Sequence, residues 1–409
     1  MLDSESVLEQ KGVHYKDHDT RSVEFTILMP CLNEEKTLGE CIQNAYAGLQ
    51  KLNICGEVVV ADNGSTDASK DIALKHGARI VHVSERGYGC ALRAGIKAAR
   101  GKFVIMGDAD CSYDFCNLEG FISELRNGSE LVCGNRFIGG IEPGAMPFLH
   151  QYVGNPVLSY LGKLFHGSSL GDFHCGLRGF SRDRILELGL KCSGMEFASE
   201  MIVRAARAGL RISEVPTKLY PDKRDRKPHL NTWRDGWRHL RFLLLLCPKW
   251  LFFIPGAVLF IVGLLVSFAL FAFGKLHFGA ISLGIHTEAF SLCAAFVGSM
   301  FLMLSLGARK IGEKLDIFRL NKLERFVIQS FTVERGLVIG GGVIGVGLWL
   351  AWISLMAWAE VGFSQVDPKS LMKSVLPSVF LVLFGVQFVV GALFNGLLDL
   401  YFSYNKRDN

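Results

Sequence analysis

Three short polar clusters hold the residues best suited to chemistry: Pro30-Cys31-Leu32-Asn33-Glu34, Asp62-Asn63-Gly64-Ser65-Thr66-Asp67 and Asp108-Ala109-Asp110. Asp108 and Asp110 follow the apolar run Phe103-Val104-Ile105-Met106-Gly107, and alternate carboxylates of this kind can hold a hard divalent cation through oxygen. Mg²⁺ or Mn²⁺ held there would bridge a diphosphate and neutralise a leaving group. Taken alone, Ser65-Thr66-Asp67 is ordinary helix-capping chemistry, and an acidic loop is ordinarily a solvated turn. Three such clusters at successive strand ends are harder to dismiss, because open α/β sheets take their ligands at the carboxyl ends of strands.

Other residues could serve the same chemistry. Arg86-Gly87-Tyr88-Gly89-Cys90-Ala91 opens a helix but has too few glycines for a dinucleotide fingerprint; Gly87 suits a close backbone approach to a donor sugar or phosphate. Glu196 and Glu200, four apart, share a helix face, where they would orient a sugar, neutralise arginines or form a plain surface pair. The run Lys223-Arg224-Asp225-Arg226-Lys227-Pro228-His229 reads as a solvated loop or, lying between the last strand and an interfacial helix, as a clamp for a diphosphate or lipid phosphate.

These residues need a scaffold. From Val23 to about Val215, short apolar, β-branched runs (EFTILMP, GEVVVADN, ARIVHVS, KFVIMGDAD, ELVCGNRF) alternate with longer amphipathic stretches. That alternation predicts βαβ units, hence an α/β domain whose mostly parallel sheet is covered on both faces. The composition then changes. Trp250 to Gly274, about Ala289 to Leu306, Gly336 to Ala359 and Leu376 to Tyr401 each supply the roughly 20 apolar residues that cross a bilayer. The second is the shortest, and a re-entrant segment is its alternative reading. The chain thus divides into a polar extension (1–22), a catalytic domain (23–231), an interfacial helix (232–249) and a four-helix membrane domain (250–409).

The apolar fraction of 50% in 409 residues excludes a purely soluble protein. The net charge of +5 is modest and gathers near the membrane segments, which favours lipid-surface attraction over nucleic-acid binding. Residues 1–22 lack the apolar core of a signal peptide, so the soluble part is expected in the cytosol. Arg309, Lys310, Lys314, Arg319, Lys322, Arg325 and Arg335 between the second and third spans, with Lys406 and Arg407 in the tail, outnumber Lys275, Lys369 and Lys373 on the other side. Both termini are therefore expected in the cytosol, of the cytoplasmic or endoplasmic reticulum membrane. Trp233, Trp237 and Leu240 fall on one helical face and Arg234, Arg238 and Arg241 on its neighbour, as for a helix in the headgroup layer or one packed on the catalytic domain. Glycines 340, 341, 342, 345 and 347 would allow close helix packing or a homo-oligomer. The eleven cysteines lack metal-type spacing and read as reduced, structural thiols.

The order PCLNEE, ADNGSTD, RGYGCALRAG, GDADCSYDF, CGNRF and GDFHCGLRGF resembles glycosyltransferase family 2, in particular the polyprenyl-phosphate hexosyltransferases of the dolichol-phosphate mannose and dolichol-phosphate glucose synthase group. The resemblance covers about Phe25 to Trp250. It implies an A-type glycosyltransferase (Rossmann-like) fold and an inverting transfer from a nucleoside-diphosphate sugar, UDP-glucose ahead of GDP-mannose, to a polyprenyl phosphate. It puts Pro30, Leu32 and Glu34 around the nucleoside, Asp62 at the base, Asp108, Ala109 and Asp110 at the metal and diphosphate, and Arg136 facing the acceptor phosphate. Ser112 stands where many relatives have a Gln metal ligand, which leaves the third protein ligand open. The segment Pro147 to Ser159, where the family's acceptor loop is basic, offers only His150 and Asn155, so phosphate contacts pass to Arg136, Arg178, Lys223, Arg224 and Arg226.

Rival readings are a processive polysaccharide synthase, a glycolipid transferase with a hydroxyl acceptor, and a non-catalytic scaffold or flippase. The first would show a Gln-x-x-Arg-Trp segment, which is absent, and spans flanking the catalytic domain on both sides. The second would need a general base. The third is opposed by the intact Asp108 and Asp110 and by spans almost without charge.

Overall fold

A computed structural model describes residues 23–166, 170–224, 232–278, 281–315, 320–364 and 368–404, in two compact units, Met1–His239 and Leu240–Asn409.

In the first unit the expected strands form β1 (Phe25–Cys31), β2 (Gly56–Asp62), β3 (Arg79–His82), β4 (Phe103–Met106) and β5 (Leu131–Asn135), joined by β6 (Arg178–Ser181) and β7 (Ile212–Pro216). They make one seven-stranded sheet in the order β3-β2-β1-β4-β6-β5-β7. β1 to β4 pair in parallel, as does β5 with β7, whereas β6 runs antiparallel to both β4 and β5. The central strands β1 and β4, and β5 beside β6, are mostly apolar because both of their faces are covered. Ile27 and Met29 of β1 join Val58 and Val60 under α1 (Leu38–Lys51) and α4 (Glu119–Arg126). Leu28, one pleat over, joins Val59 and Val104 under α3 (Tyr88–Ala98) and α8 (Phe197–Arg207).

Two local expectations need correction. Arg136 is not on a strand: the Asn135 side chain accepts from the backbone N–H of Phe137 and Ile138 at 3.0 and 3.1 Å, capping the short helix α5 (Arg136–Gly139). Pro147 to Ser159 is largely helical, a π-helical turn (His150–Gly154) leading into α6 (Asn155–His166). The remaining helices of this unit are α2 (Ser69–Lys75), α7 (Arg182–Glu187) and the amphipathic α9 (Thr232–Leu245), which runs on into the second unit.

Among the described residues the second unit holds four helices long and apolar enough to cross a membrane: Lys249–Phe273, which contains α10 (Ile254–Phe273), then α11 (Ile285–Lys314), α13 (Val333–Glu360) and, within α14 (Pro368–Tyr404), Leu371–Tyr404. α11 is continuous over 30 residues and does not re-enter. A small antiparallel hairpin, β8 (Leu276–Phe278) with β9 (Ile281–Leu283), precedes it, and α12 (Lys322–Ser330) lies between α11 and α13. Gly340 and Gly347 allow α13 to lie directly on α14, for an added Cβ would come within 2.6 Å of Val389 and 2.8 Å of Val382, while Gly341, Gly342 and Gly345 meet nothing within 4 Å. Arg309, Lys310 and Lys314, read from the sequence as loop charges, are the last turns of α11. Lys310 is buried there, its Nζ 2.6 Å from Asp399 Oδ2 and donating to Asn395 Oδ1 at 2.8 Å. A lysine so placed is tolerated because its donors are met.

Candidate active site

Strand order explains why the three polar clusters meet. β1 lies between β2 and β4, with Cys31 opposite Asp62 and Leu28 opposite Met106, so the three strands release their chains side by side at one edge. Hydrogen bonds then lace the first two clusters together. Asn33 N–H donates to Ser65 Oγ at 2.9 Å, Glu34 N–H to Ser69 Oγ at 2.8 Å and Thr66 N–H to Asn33 Oδ1 at 2.8 Å. Asn33 bends to allow this, in a left-handed conformation (φ 58°) that asparagine tolerates. Asp62 is buried and accepts from Ser65 N–H at 3.0 Å. A cavity of about 350 Å³ opens here, lined by Asn33, Glu34, Thr37, Thr66, Asp67 and Arg224 among others, at the low end of small-molecule pockets. Pro30 lies near the end of β1 and Leu32 opens the loop after it, and Ala109 is fixed to the start of α1 by Thr37 Oγ1, which donates to the Ala109 carbonyl at 2.7 Å.

Beside this cavity two carboxylates share one guanidinium. Arg224 lies 3.0 Å from Glu34 Oε1 and 3.1 Å from Asp110 Oδ2. Asp110 Oδ1 accepts from the backbone N–H and hydroxyl of Ser112 at 3.0 and 2.5 Å. Ser112 therefore orients Asp110. Burial and then the charge of Asp110 raise the Asp108 carboxyl to about 6, against the opposing pull of Arg224 and Tyr88. Burial is the larger cause; the lesser one is repulsion between two neighbouring carboxylates, which a divalent cation would relieve. Among the described residues no three side chains form a complete metal cage. Asp108 and Asp110 would suit Mg²⁺, which proteins commonly hold through one or two carboxylates.

Gly87 has a different explanation from the one its motif suggests. Its φ of +139° and the Ser193 carbonyl, 2.3 Å from where a Cβ would stand, exclude any side chain. The close approach is to the chain itself. Neighbouring Tyr88 donates its hydroxyl to Asp108 Oδ1 at 3.2 Å. Gly176 is the less obvious requirement, since its Cβ would stand 2.7 Å from Asp108 Oδ2 and 3.2 Å from Tyr113. Gly176→Ala is expected to displace the Asp108 carboxylate and lower transfer about a hundredfold with little change in thermal unfolding; unchanged turnover would show that Asp108 need not stand where it does.

The arginines expected at the acceptor are occupied otherwise. Arg136 is 7% exposed and grips the wholly buried Asp172 through Nε and Nη2 at 2.7 and 2.8 Å. Arg178, with no exposed surface, donates to the carbonyls of Cys175 (2.9 Å), Phe173 (2.8 Å) and Ala198. It holds the turn before β6 and presents no donor of those three bonds to a ligand. His150 is half-buried, and burial, then Arg136, push its imidazole toward the neutral form. Lys223 pairs with Glu40 at 2.5 Å on the surface. Arg226 lies outside the described residues. Glu200 is structural too: it accepts from the N–H of Lys191 and Cys192 and pairs with Arg204 at 3.0 Å. Sequence reasoning missed Asp172 and Glu214. Glu214 Oε1 takes the N–H of Gly171 and Asp172 at 2.6 and 3.0 Å, and so sets the carboxylate that holds Arg136. An acid in GDFHCGLRGF was the available signal.

Comparison with known proteins agrees with this geometry. Residues 26–189 match the family described as glycosyl transferase family 2, and 308–399 the glycosyltransferase family 2 C-terminal transmembrane region. The low-salt glycan biosynthesis hexosyltransferase Agl6 of Haloferax volcanii is 35% identical over 91% of this chain and 89% of its own. A dolichyl-phosphate hexose transferase of the same organism is 28% identical over 47% of this chain and 81% of its own.

Proposed function

Because the chain is a membrane hexosyltransferase that belongs to glycosyltransferase family 2, we propose that it moves a hexose from a nucleoside-diphosphate sugar to a polyprenyl phosphate, with inversion, at the cytosolic face of the membrane. UDP-glucose is the favoured donor and GDP-mannose the next. The observation that carries the reading is the Asp108, Asp110, Glu34 and Arg224 constellation beside the cavity, which matches a metal-bound diphosphate. The dolichyl-phosphate hexose transferase among its relatives supports the acceptor class.

In this reading the cavity between Asn33, Thr66 and Asp67 takes the nucleoside, with Asp62 beneath it. Asp108 and Asp110 would hold Mg²⁺ or Mn²⁺, which would supply charge neutralisation to a diphosphate leaving group. Arg224, already within 3.1 Å of Asp110, turns from the carboxylates to the diphosphate oxygens as the donor enters. The acceptor needs no general base, because a phosphate monoester with a second pKa of about 6 is largely dianionic at neutral pH. Its oxygen attacks the anomeric carbon from the face opposite the leaving group, and alignment is the protein's main contribution. His150 and Lys223 would face the acceptor in this reading. The exposed Phe148, Tyr152, Val153, Val157 and Tyr160 on and before α6 give a lipid tail an apolar surface to lie against. The excess of Lys and Arg between the second and third spans supports cytosolic termini.

Acceptor chemistry is tested by offering radiolabelled UDP-glucose with undecaprenyl phosphate, diacylglycerol or ceramide in separate reactions. Label is expected in the phosphate acceptor alone; label in a neutral lipid would replace the reading with a hydroxyl-directed transferase. Chelation with EDTA is expected to lower transfer at least about a hundredfold, with recovery on adding Mn²⁺, and full activity in EDTA would remove the metal from the account.

A further inference from the structure

The eleven cysteines are all free thiols, and two of them meet beside the candidate metal turn. Cys41, on α1, is 1% exposed, and Cys111, the residue after Asp110, is partly exposed. Their sulfurs stand 3.5 Å apart, a van der Waals contact that needs an approach of about 1.5 Å to become a bond. Local structure aims the pair. Cys111 has φ +64°, a left-handed backbone unusual for cysteine, and its Sγ lies 3.7 Å from the Thr37 carbonyl at the start of α1. Thr37 in turn donates to the Ala109 carbonyl at 2.7 Å, so α1 and the Asp108 to Cys111 turn are already fastened at one point.

We propose that Cys41 and Cys111 are a reversible redox pair whose disulfide displaces the Asp108 to Asp110 turn and switches off donor binding. A peroxide oxidises the accessible Cys111 thiol to a sulfenic acid, and one water leaves. The Cys41 thiol attacks that sulfur, the S–S bond forms, and the sulfenic hydroxyl departs with the thiol proton as a second water. Two thiols lose two electrons in all, and the peroxide's two oxygens end as two waters. A dithiol reverses the bond by exchange. In a reducing compartment the pair stays open, and a disulfide there is a transient signal. The consequence is geometric. Drawing Cys111 toward α1 pulls the main chain one peptide from Asp110, whose carboxylate is set by Ser112 of the same turn. A shift of about 1 Å in a positioning group costs on the order of a hundredfold in rate.

The consequence for transfer rests on the donor reading above, whereas the cross-link itself does not. The full-length protein in detergent is treated with hydrogen peroxide, then read by peptide mapping without reduction and by Mn²⁺-dependent UDP binding. A peptide joining Cys41 to Cys111 is expected, with UDP binding and transfer lowered about tenfold or more and restored by dithiothreitol. Cys41→Ala is expected to keep its basal transfer and form no such peptide. Cys111→Ser, the second variant should Cys41→Ala fold poorly, is likewise expected to form none. Absence of the joined peptide in the folded wild-type protein would overturn the pair. A joined peptide with UDP binding unchanged would overturn its effect on the turn. Loss of UDP binding without transfer in any sample would leave the pair standing and count against the acceptor reading instead.

Discussion

Asp110→Asn is expected to abolish hexosyl transfer, by on the order of a thousandfold or more, in a protein that still folds. The amide keeps the shape of the carboxylate and can still accept from the Ser112 N–H and hydroxyl, so the turn survives. What disappears is a charge. Arg224 keeps Glu34 but loses its partner 3.1 Å away, and Asp108 becomes the lone carboxylate for the cation. The substitution carries its own control: with the Asp110 charge removed, the Asp108 carboxyl should fall from about 6 toward the ordinary range, although burial still opposes ionisation. Turnover measured beside Mn²⁺-dependent UDP binding separates the two effects. Near-normal turnover with normal folding would deny Asp110 any part in holding the cation.

Asp172→Ala is expected to be the most destabilising single change in the sheet domain, by about 3–5 kcal/mol. It leaves the Arg136 guanidinium buried and unpaired where it now makes bonds of 2.7 and 2.8 Å. Urea unfolding of the detergent-solubilised protein checks the loss. The double variant Arg136→Met, Asp172→Leu is expected to regain most of it, since no uncompensated charge remains. This variant also decides what Arg136 does. Recovered folding with recovered transfer fits a positioning pair that holds the start of α5. A well-folded double variant whose KM for the lipid phosphate rises about tenfold or more would return Arg136 to direct contact with the acceptor.

The parts of the molecule legible in the sequence are those fixed by local pattern. β1, β2 and β4 are apolar runs ended by polar clusters, and the four membrane helices are long apolar stretches. β6 was not legible because Arg178-Gly179-Phe180-Ser181 has a single apolar side chain, and its antiparallel insertion is set by the partners β4 and β5. The acidic clusters were readable as sites, but the identity of the opposing charge was not. Arg224 is 190 positions from Glu34, and only folding brings them within 3.0 Å. Arg136 and Arg178 illustrate the same limit, because an arginine after a strand reads as an anion receptor until its carboxylate or carbonyl partners are known. Lys310 does so in the membrane unit, where α14 supplies Asp399.

The central claim is metal-dependent transfer to a lipid phosphate by Asp108 and Asp110. Its most direct test incubates the purified protein with Mg²⁺ or Mn²⁺, undecaprenyl phosphate and a panel of radiolabelled UDP- and GDP-hexoses, with Asp110→Asn beside it. The account predicts label in an organic-phase product from one donor, UDP-glucose first, and none from the variant. Label that appears equally with the variant, or only in polymer or neutral glycolipid, would contradict it.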